Sequence, residues 1–457
     1  MSNNLENIRG KKVLIVGLGK SGVASAHVMT RLGAEVSVQD NRAEQDFDRN
    51  LLSFLKGKGI TCYFHCLPED MSAFDMIVLS PGASPEMDFV QEAKNKGVEI
   101  TGELEIAYRI SKGNFVAITG TNGKTTTTTM VGEIFKESGR PTDVVGNIGV
   151  AAISAAAAAE TDEWLVTETS SYQLETTKYF KPVVSAILNL TPDHLERHHT
   201  MEGYGEAKAM IFANQRDDGY LIVNAEDPLV MSLSKKAKCR VVPFSRVREL
   251  DFGAFVRNGH LIIKDDEKEV DICRTKDLHI IGDHNVENAL AAAAISYFAG
   301  IDPEVIGETI KGFGGVEHRI EYCGTVDGVK YYNDSKGTNV DATIIALRAI
   351  GKNIILIAGG DAKGQVFDPL IEAFNGSVKK MILLGRDRYL IKEAADRQGF
   401  TEMVECKDIP ACVMEAARIA EPGDSVLLSP ACASYDMYDN FEQRGKHFKS
   451  CVEALYR

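Results

Sequence analysis

A strand, a glycine-rich loop and a helix follow one another in one stretch of this chain, and they constrain its fold more than any other segment. Residues 115–119 (FVAIT) are apolar and β-branched, as a buried strand requires, and residues 125–135 have the apolar spacing of a helix. Gly120 and Gly123 lie in the loop between them. Glycines allow the backbone N–H groups of such a loop to approach a polyphosphate. The segment therefore predicts a phosphate-binding loop at the end of a strand in an α/β fold.

The side chains of this loop supply a charge and hydroxyl groups in addition to the backbone N–H groups. Lys124 supplies a positive charge, and the hydroxyl group of Thr125 or Thr126 can reach a magnesium ion. The common nucleoside-triphosphatase loop has one more glycine at the position of Ile118, so this loop is a shorter variant. A strand-to-helix turn without a ligand would leave the lysine and the hydroxyls unexplained. We predict a nucleoside triphosphate site formed by Gly120, Thr121, Asn122, Gly123, Lys124, Thr125 and Thr126.

Composition narrows the classes of function. The chain has 457 residues, enough for about three domains, and 51 basic against 65 acidic residues give a net charge of −14. This charge argues against a nucleic-acid partner and against docking on an anionic membrane. The first residues lack a signal-peptide pattern, so we expect a cytoplasmic protein without membrane insertion. The nine cysteines are scattered without a CxxC pair, and we expect reduced thiols.

The first segment, residues 1 to about 104, begins with a glycine-rich turn of its own. A predicted strand leads into the GLGKSG turn at 17–22, and a second predicted strand ends at Asp40. This spacing is typical of a dinucleotide-binding fold, in which the acid binds a ribose. Because any diphosphate can occupy the helix N-terminus of such a turn, NAD and a UDP-linked substrate fit equally well, and a turn without a ligand stays open.

Two apolar runs in the middle segment end in groups suited to a metal ion. One run ends at Glu168, and the other ends shortly before His194. Because open parallel sheets bind ligands at the carboxyl ends of their strands, we predict that these two residues bind magnesium. We expect His198 and His199 at the surface.

Two helices of the middle segment carry further polar candidates. Lys208 lies on a predicted helix and, on its own, would be interpreted as a solvent-facing lysine. Asn285 and Asn288 begin another helix, where either side chain could serve only as a cap.

The last segment, residues 316–457, follows a glycine-rich hinge candidate at 312–315. Three predicted strands in it lead into polar loops: NDSKGTN at 333–339, GGDAKG at 359–364 and SPACASYD at 429–436. Lys336, Lys363 and Ser434 in these loops are suited to bind carboxylates. Strands that alternate with helices at 340–350 and 411–420 predict a third, doubly wound α/β unit.

Taken together, these motifs resemble the Mur ligases, the ATP-dependent enzymes that form peptide bonds in bacterial peptidoglycan precursors. The runs that carry the resemblance occur in the family's order: TGTNGKTTT, NIG, TETSSYQLE, DHL, YGEAKAMIF, GDHNVENALAA, EHRIE, NDSKGTN, GGDAKG and SPACASYDMYDNFEQRG. The resemblance implies three α/β domains. These would be a Rossmann-like UDP-sugar domain (1–104), a central P-loop ATPase-like parallel-sheet domain (105–315) and a Rossmann-like C-terminal domain that binds the amino acid (316–457).

Within the family, the N-terminal glycine-rich turn, the NDSKGTN run and the SPACAS ending favour a ligase that adds D-glutamate to UDP-N-acetylmuramoyl-L-alanine. The resemblance implies that the reaction passes through an acyl phosphate and a tetrahedral intermediate. A monomer acting on small-molecule substrates is expected. The alternatives are a sibling ligase for another amino acid, an NAD-dependent oxidoreductase, a small-molecule kinase and a non-catalytic nucleotide-binding regulator.

The resemblance also implies roles for individual residues. Catalysis would depend on Lys124, His194 and Lys208. Two magnesium ions would be held by Thr125, Glu168, His194 and Lys208, the last as a carbamate formed with carbon dioxide. ATP would additionally contact Asn285, Arg319 and Asp334. The UDP-sugar would contact Asp40, Arg42, Ser80 and Asn147. D-Glutamate would contact Lys336, Thr338, Lys363, Ser434 and Phe441.

The chain departs from the family pattern at two positions. Gly337 stands where alanine is common, and Tyr435 replaces an apolar residue.

Overall fold

The first five strands form a parallel sheet in the order β3-β2-β1-β4-β5. The structure is a computed structural model, and it describes residues 7–456. The strands are β1 (Lys12–Val16), β2 (Glu35–Asp40), β3 (Thr61–Phe64), β4 (Met76–Leu79) and β5 (Glu99–Gly102), and the helices are α1 (Lys20–Arg31), α2 (Arg49–Gly57), α3 (Asp88–Asn95) and α4 (Glu103–Ile110). This strand order is that of a Rossmann-like sheet, as the sequence predicts.

The central sheet has nine strands in the order β14-β13-β12-β11-β10-β9-β6-β8-β7. Its strands are β6 (Asn114–Thr119), β7 (Thr142–Gly146), β8 (Trp164–Glu168), β9 (Val184–Ile187), β10 (Tyr220–Asn224), β11 (Arg240–Ser245), β12 (Gly253–Arg257), β13 (His260–Lys264) and β14 (Glu269–Arg274). The helices are α5 (Lys124–Glu137), α6 (Ala152–Ala156), α7 (Ser171–Leu174), α8 (Leu195–His198), α9 (Met201–Ala209), α10 (Pro228–Ser234), α11 (Asp283–Phe298) and α12 (Pro303–Gly312). The strands β6–β12 pair in parallel, whereas β13 pairs antiparallel with both β12 and β14. The antiparallel extension is an addition to the predicted parallel sheet.

The third sheet has six strands in the order β15-β16-β20-β17-β18-β19. Its strands are β15 (Glu321–Val326), β16 (Val329–Asn333), β17 (Ile354–Ala358), β18 (Val378–Leu383), β19 (Met403–Glu405) and β20 (Ser425–Leu428). The helices are α13 (Val340–Ile350), α14 (Asp368–Glu372), α15 (Arg388–Arg397), α16 (Ile409–Ile419) and α17 (Phe441–Ala454). Only β15 runs antiparallel, and helices cover both faces of the sheet, which forms its own core.

The described chain divides into two compact units. One comprises the chain up to Asp277 together with Glu287–Gly312, and it contains the first two sheets. The other comprises Leu278–Val286 and the chain from Phe313 onward, with the third sheet. The boundaries predicted between domains at 104/105 and 315/316 stay predictions. Between residues 7 and 456, no helix is long and apolar enough to span a bilayer.

Within the first unit, a buried carboxylate ties α4 to the central sheet domain. Glu105 is fully buried and accepts hydrogen bonds from the backbone N–H groups of Lys178 (2.9 Å), Tyr179 (2.9 Å) and Phe180 (3.1 Å). It also accepts one from Arg109 Nε at 2.7 Å. Charge-assisted bonds to three successive N–H groups offset the cost of burying the carboxylate. This cluster therefore fixes α4 against the loop before β9.

We expect the substitution Glu105→Ala to lower the free energy of unfolding by about 3–5 kcal/mol, because it removes one of the two carboxylates that pair with Arg109 and leaves the N–H groups of Lys178, Tyr179 and Phe180 without this acceptor. Glu92→Ala is the matched control, since Glu92 pairs with Lys96 one helical turn away at an exposed site. Thermal and urea denaturation of both variants measures the difference. An equal, small effect of the two substitutions would contradict this role of Glu105.

Candidate active site

Asn189 holds the glycine-rich loop that follows β6. Its Oδ1 accepts hydrogen bonds from the backbone N–H groups of Thr121 (3.1 Å) and Asn122 (2.8 Å), and its Nδ2 donates to the Asn122 carbonyl (3.0 Å). Gly120 and Gly123 adopt positive φ angles of 150° and 83° in this loop. The sequence places Asn189 near a strand end but assigns it no role. The structure shows that this side chain sets the conformation of the loop.

Two lysines converge on the carbonyl of Gly120. Lys124 Nζ donates to the carbonyls of Gly120 and Thr121, each at 2.9 Å, and Lys208 Nζ donates to the same Gly120 carbonyl at 2.9 Å. Lys208 is only 1% exposed, so its interpretation as a solvent-facing lysine is wrong. Its ammonium also lies 4.5 Å from the centre of the Tyr204 ring. The helix α9 thus points this lysine at the loop.

The environment of Lys208 disfavours its charged form. Burial, and then the positive charge of Lys124, lower the pKa of Lys208 well below the usual lysine range, although Asp193 and Glu168 oppose the shift. A neutral amine is a nucleophile, whereas an ammonium is not. Lys208 is therefore suited to react with a small electrophile such as carbon dioxide.

Glu168 is the last residue of β8, and only one of its two carboxylate oxygens has a hydrogen-bond partner among the described residues. The side chain is 1% exposed, and its Oε1 accepts a hydrogen bond from Asn147 Nδ2 at 2.8 Å. Its Oε2 is buried and has no hydrogen-bond partner in the described part of the chain. A buried, unpartnered carboxylate oxygen is costly unless a cation binds it. Glu168 therefore fits the magnesium ligand that the sequence predicts.

His194 lies on a segment that is bonded to the same loop. The backbone N–H of Thr191 donates to Thr121 Oγ1 at 3.1 Å, and His194 Nδ1 is 3.0 Å from the hydroxyl of Tyr172. The imidazole is 43% exposed, which leaves it accessible to a ligand.

His198 is expected at the surface from the sequence, but its side chain is only 5% exposed. Its Nε2 forms a hydrogen bond with Ser171 Oγ at 2.9 Å.

Asp40, the last residue of β2, stabilises the glycine-rich turn at residues 17–22. Its Oδ2 accepts a hydrogen bond from Leu18 N at 2.7 Å, and both of its oxygens accept from the guanidinium of Arg42. Burial raises the pKa of Asp40, but the hydrogen bonds from Arg42 and Leu18 outweigh it and lower the pKa to about 2. Ser80 Oγ donates to the carbonyl of Gly17 at 2.6 Å. The structure thus gathers Asp40, Arg42 and Ser80 at this turn.

In the second unit, Asp334 follows β16 and is buried. Its Oδ2 accepts a hydrogen bond from Ser429 Oγ at 2.6 Å, and its Oδ1 accepts one from Ile320 N at 3.2 Å. Burial raises the pKa of Asp334 to about 6, although Ser429 and Arg319 favour the ionised form. Arg319 Nε is buried without a hydrogen-bond partner among the described residues. Asn285, at the start of α11, donates to the carbonyl of Ile281 at 2.7 Å.

Both lysines predicted to bind D-glutamate lie beside aromatic rings in the second unit. Lys336 Nζ is 5.4 Å from the ring centre of Phe441, and Lys363 Nζ is 4.7 Å from that of Tyr435. Cation–π contacts of this kind restrict a lysine without neutralising its charge.

The remaining candidates of this unit belong to the same loops. Ser434 is buried, and the carbonyl of Thr338 accepts a hydrogen bond from Gln365 at 3.2 Å. A Cβ atom at Gly337 would lie 2.4 Å from Asp334 Oδ2, so alanine at this position would require one of the two residues to shift.

Comparisons with known proteins agree with this arrangement. Residues 11–102 match the model of the "Mur ligase MurD-like, N-terminal domain", residues 118–296 that of the "Mur ligase middle domain", and residues 318–432 that of the "Mur ligase, glutamate ligase domain". The chain belongs to the Mur ligase family.

Within the family, the chain is similar to proteins named UDP-N-acetylmuramoylalanine–D-glutamate ligase. The protein of Thermoanaerobacter sp. (strain X514) is 47% identical over 453 residues, which cover 98% of this chain and 100% of the relative. The protein of Clostridioides difficile (strain 630) is 46% identical over 451 residues, with 98% and 100% covered.

Solved structures share the fold at lower identity. A pseudomurein peptide ligase type C from Methanothermus fervidus has a TM-score of 0.60 at 20% identity and covers 98% of this chain and 100% of its own. The UDP-N-acetylmuramate-alanine ligase from Thermotoga maritima has a TM-score of 0.60 at 19% identity, with 97% and 99% covered. The three-domain α/β fold predicted from the sequence is confirmed.

We expect Gly123→Ala to weaken the binding of a non-hydrolysable ATP analogue about tenfold or more. A Cβ at this position would lie 2.4 Å from Asn288 Oδ1, so that the loop must move. Gly139→Ala is the control, because Gly139 has a similar φ of 80° beyond the other end of α5 but no atom within 4 Å of the added Cβ. Titration calorimetry measures both affinities. Equal affinities of the two variants would show that the loop tolerates the added atom.

Proposed function

We propose that this protein is an ATP- and magnesium-dependent ligase that joins D-glutamate to UDP-N-acetylmuramoyl-L-alanine in peptidoglycan precursor synthesis. The names of relatives that are 45–47% identical over nearly their whole length support this substrate pair. The observation that carries the chemistry is the cluster at the loop, in which Lys124 and Lys208 both donate to the Gly120 carbonyl, Asn189 holds the neighbouring backbone amides, and the charge of Glu168 acts on Lys208. A charged nucleotide and a hard cation are the ligands that this cluster suits.

The residues of the loop would bind and orient the triphosphate. The loop presents backbone N–H groups at the N-terminus of α5, and Lys124 adds the charge that offsets the phosphates. Glu168, His194 and a hydroxyl of Thr125 or Thr126 would hold Mg²⁺, which neutralises negative charge on the transferring phosphoryl group when it is bound. The carboxylate of the UDP-linked substrate would attack the γ-phosphorus of ATP and displace ADP. The neutral amine of D-glutamate would then attack the carbonyl carbon of the acyl phosphate and release a proton to solvent. Phosphate then leaves from the tetrahedral intermediate. Positioning and charge balance are the protein's main contributions to such a reaction.

Lys208 would complete the metal site as a carbamate. Its neutral amine nitrogen would form a bond to the carbon of CO₂, and the proton released would pass to solvent. The product has two oxygen atoms where the amine had none, which suits a hard metal. The 1% exposure of the side chain supports the proposal, because a buried carbamate is shielded from the water that would hydrolyse it.

The two substrates would use different units of the chain. Asp40, Arg42 and Ser80 line the first glycine-rich turn, whose helix N-terminus suits the diphosphate of the UDP-sugar. Asn147 would face the same substrate. Lys336, Thr338, Lys363, Ser434 and Phe441 would bind D-glutamate, and the two lysines balance its two carboxylates. Asn285, Arg319 and Asp334 would contact ATP.

We also propose that the protein acts as a monomer in the cytoplasm. Every residue assigned above to a substrate comes from one chain, and nucleotide-activated sugars and ATP are supplied in that compartment. The runner-up function is a sibling ligase with another amino acid, and the amino-acid panel described next separates the two.

We expect ADP release in the presence of UDP-N-acetylmuramoyl-L-alanine and Mg²⁺ to be stimulated by D-glutamate and not by L-glutamate, L-alanine, L-lysine or meso-diaminopimelate. The two carboxylates and the D configuration of the amino acid would be selected by the lysine pair and its loops. A coupled ADP assay and mass spectrometry of the product measure this. Stimulation by another amino acid alone would identify a sibling ligase and refute the proposed specificity.

We expect Lys208→Ala to lose at least about 100-fold in kcat, and added bicarbonate should not restore it, because the nitrogen that carries the carbamate is gone. Lys235→Ala, which removes an exposed lysine of the same domain, should retain wild-type activity. Carbon-13 NMR of protein in ¹³C-bicarbonate should show a carbamate signal in the wild type that Lys208→Ala lacks. Full activity of Lys208→Ala without added carboxylates would refute the carbamate.

A further inference from the structure

Arg197 joins three parts of the first unit. Its Nη2 donates to the carbonyl of Ala83 at 3.0 Å, and the same nitrogen forms an ion pair with Glu175 Oε1. The guanidinium carbon lies 5.0 Å from the centre of the Tyr172 ring. Ala83 belongs to the first sheet domain, whereas Glu175, Tyr172 and Arg197 belong to the central one. One side chain therefore links the two domains.

Each of these contacts leads to a residue with a proposed role in the reaction. On one side, the N–H of Ala83 donates to the carbonyl of Ser80 at 2.8 Å, so that both residues lie in one tight turn after β4. Ser80 is a candidate for UDP-sugar binding. On the other side, the hydroxyl of Tyr172 bonds with His194 Nδ1 at 3.0 Å. His194 is a candidate metal ligand, three residues before Arg197 in the chain.

The pair of Arg197 and Glu175 is largely withdrawn from solvent. Their side chains are 14% and 15% exposed, and Arg197 Nε is buried without a hydrogen-bond partner in the part of the chain that the structure describes. A planar guanidinium contacts a carbonyl, a carboxylate and an aromatic face at the same time, which an ammonium does not. Such a desolvated contact resists displacement, since breaking it leaves buried charge unpaired. The link between the two domains is therefore a rigid one.

We propose that Arg197 is a positioning residue, which fixes the position of the Ser80 turn relative to His194 and thereby aligns the substrate carboxylate with the γ-phosphate of ATP that it attacks. This inference rests on the proposed function. Misplacement of reacting groups by about 1 Å costs on the order of 100-fold in rate. ATP binding is independent of this link, because Asn189 rather than Arg197 holds the glycine-rich loop.

The test compares Arg197→Met and Arg197→Lys with a control at an exposed arginine. Arg248 also donates to a carbonyl, that of Ala225, and to a carboxylate, Glu226 Oε1, each at 2.8 Å, but its side chain is 56% exposed and its contacts lie within the central domain. Steady-state kinetics with each substrate varied, thermal unfolding, and calorimetric binding of the UDP-sugar and of an ATP analogue are measured for the full chain.

We expect Arg197→Met to lower kcat about 100-fold and to raise KM for the UDP-sugar about tenfold, with KM for ATP and affinity for the ATP analogue within about twofold of wild type. Arg197→Lys should have a kcat between those of Arg197→Met and the wild type, because lysine keeps the positive charge but lacks the planar set of N–H donors of the guanidinium. Arg248→Met should leave all kinetic constants within about twofold of wild type.

Two results would overturn the inference. Unchanged kcat and KM in Arg197→Met would show that alignment does not depend on this link, and an equal loss of ATP and UDP-sugar affinity with a lowered unfolding temperature would show a purely structural role. Failure of the proposed function is distinguishable, because in that case the wild type itself would release no ADP in response to D-glutamate.

Discussion

The hydrogen bonds between Asn189 and the glycine-rich loop are the interaction on which the rest of the site depends. They fix the backbone of Thr121 and Asn122, and this fixes the Gly120 carbonyl to which Lys124 and Lys208 both donate. Because β6 and β9 are neighbouring parallel strands, the residues after each strand meet at one edge of the sheet. The sheet order therefore brings two separate loops together at one edge of the sheet.

Burial sets the charge state of this site. Lys208 and Glu168 are each about 1% exposed, and an isolated charge at such a position is costly. The lysine is driven toward its neutral form, while one oxygen of the carboxylate has no hydrogen-bond partner among residues 7–456. The unpartnered carboxylate oxygen is unfavourable in the protein alone, and a bound cation would relieve it. Asp334 in the second unit is also a buried carboxyl group whose charged form is disfavoured, since burial raises its pKa to about 6. Stability is thus lost at the places where ligands are proposed to bind.

Buried parallel strands were the most predictable part of the fold. The strands predicted before the GLGKSG turn, the NDSKGTN loop, the GGDAKG loop and the SPACASYD loop are present as β1, β16, β17 and β20. Strands that are covered on both faces consist of short continuous apolar runs, which stand out from their polar surroundings. The sequence analysis predicts no strands at β12–β14, because their apolar runs are short and each strand ends in a charged residue: Arg257, Lys264 and Arg274. Local pattern alone places Lys208 and His198 at the surface, which is wrong for both side chains, whereas the family resemblance assigns Lys208 to the metal site. Helical periodicity is weak around Lys208, and neighbouring elements decide which way a side chain points.

The sequence by itself determined the class of fold, the phosphate-binding loop and the candidate residues, because glycines, a lysine and hydroxyls at this spacing have few other uses and the motifs recur in the order of one family. The tertiary structure decided which of these groups share an environment. Asn189, Tyr172 and Arg197 act on residues that are distant in the chain, and no local pattern reveals such contacts. Whether a lysine is an exposed cation or a buried neutral amine depends on desolvation, which arises only when the surrounding elements pack.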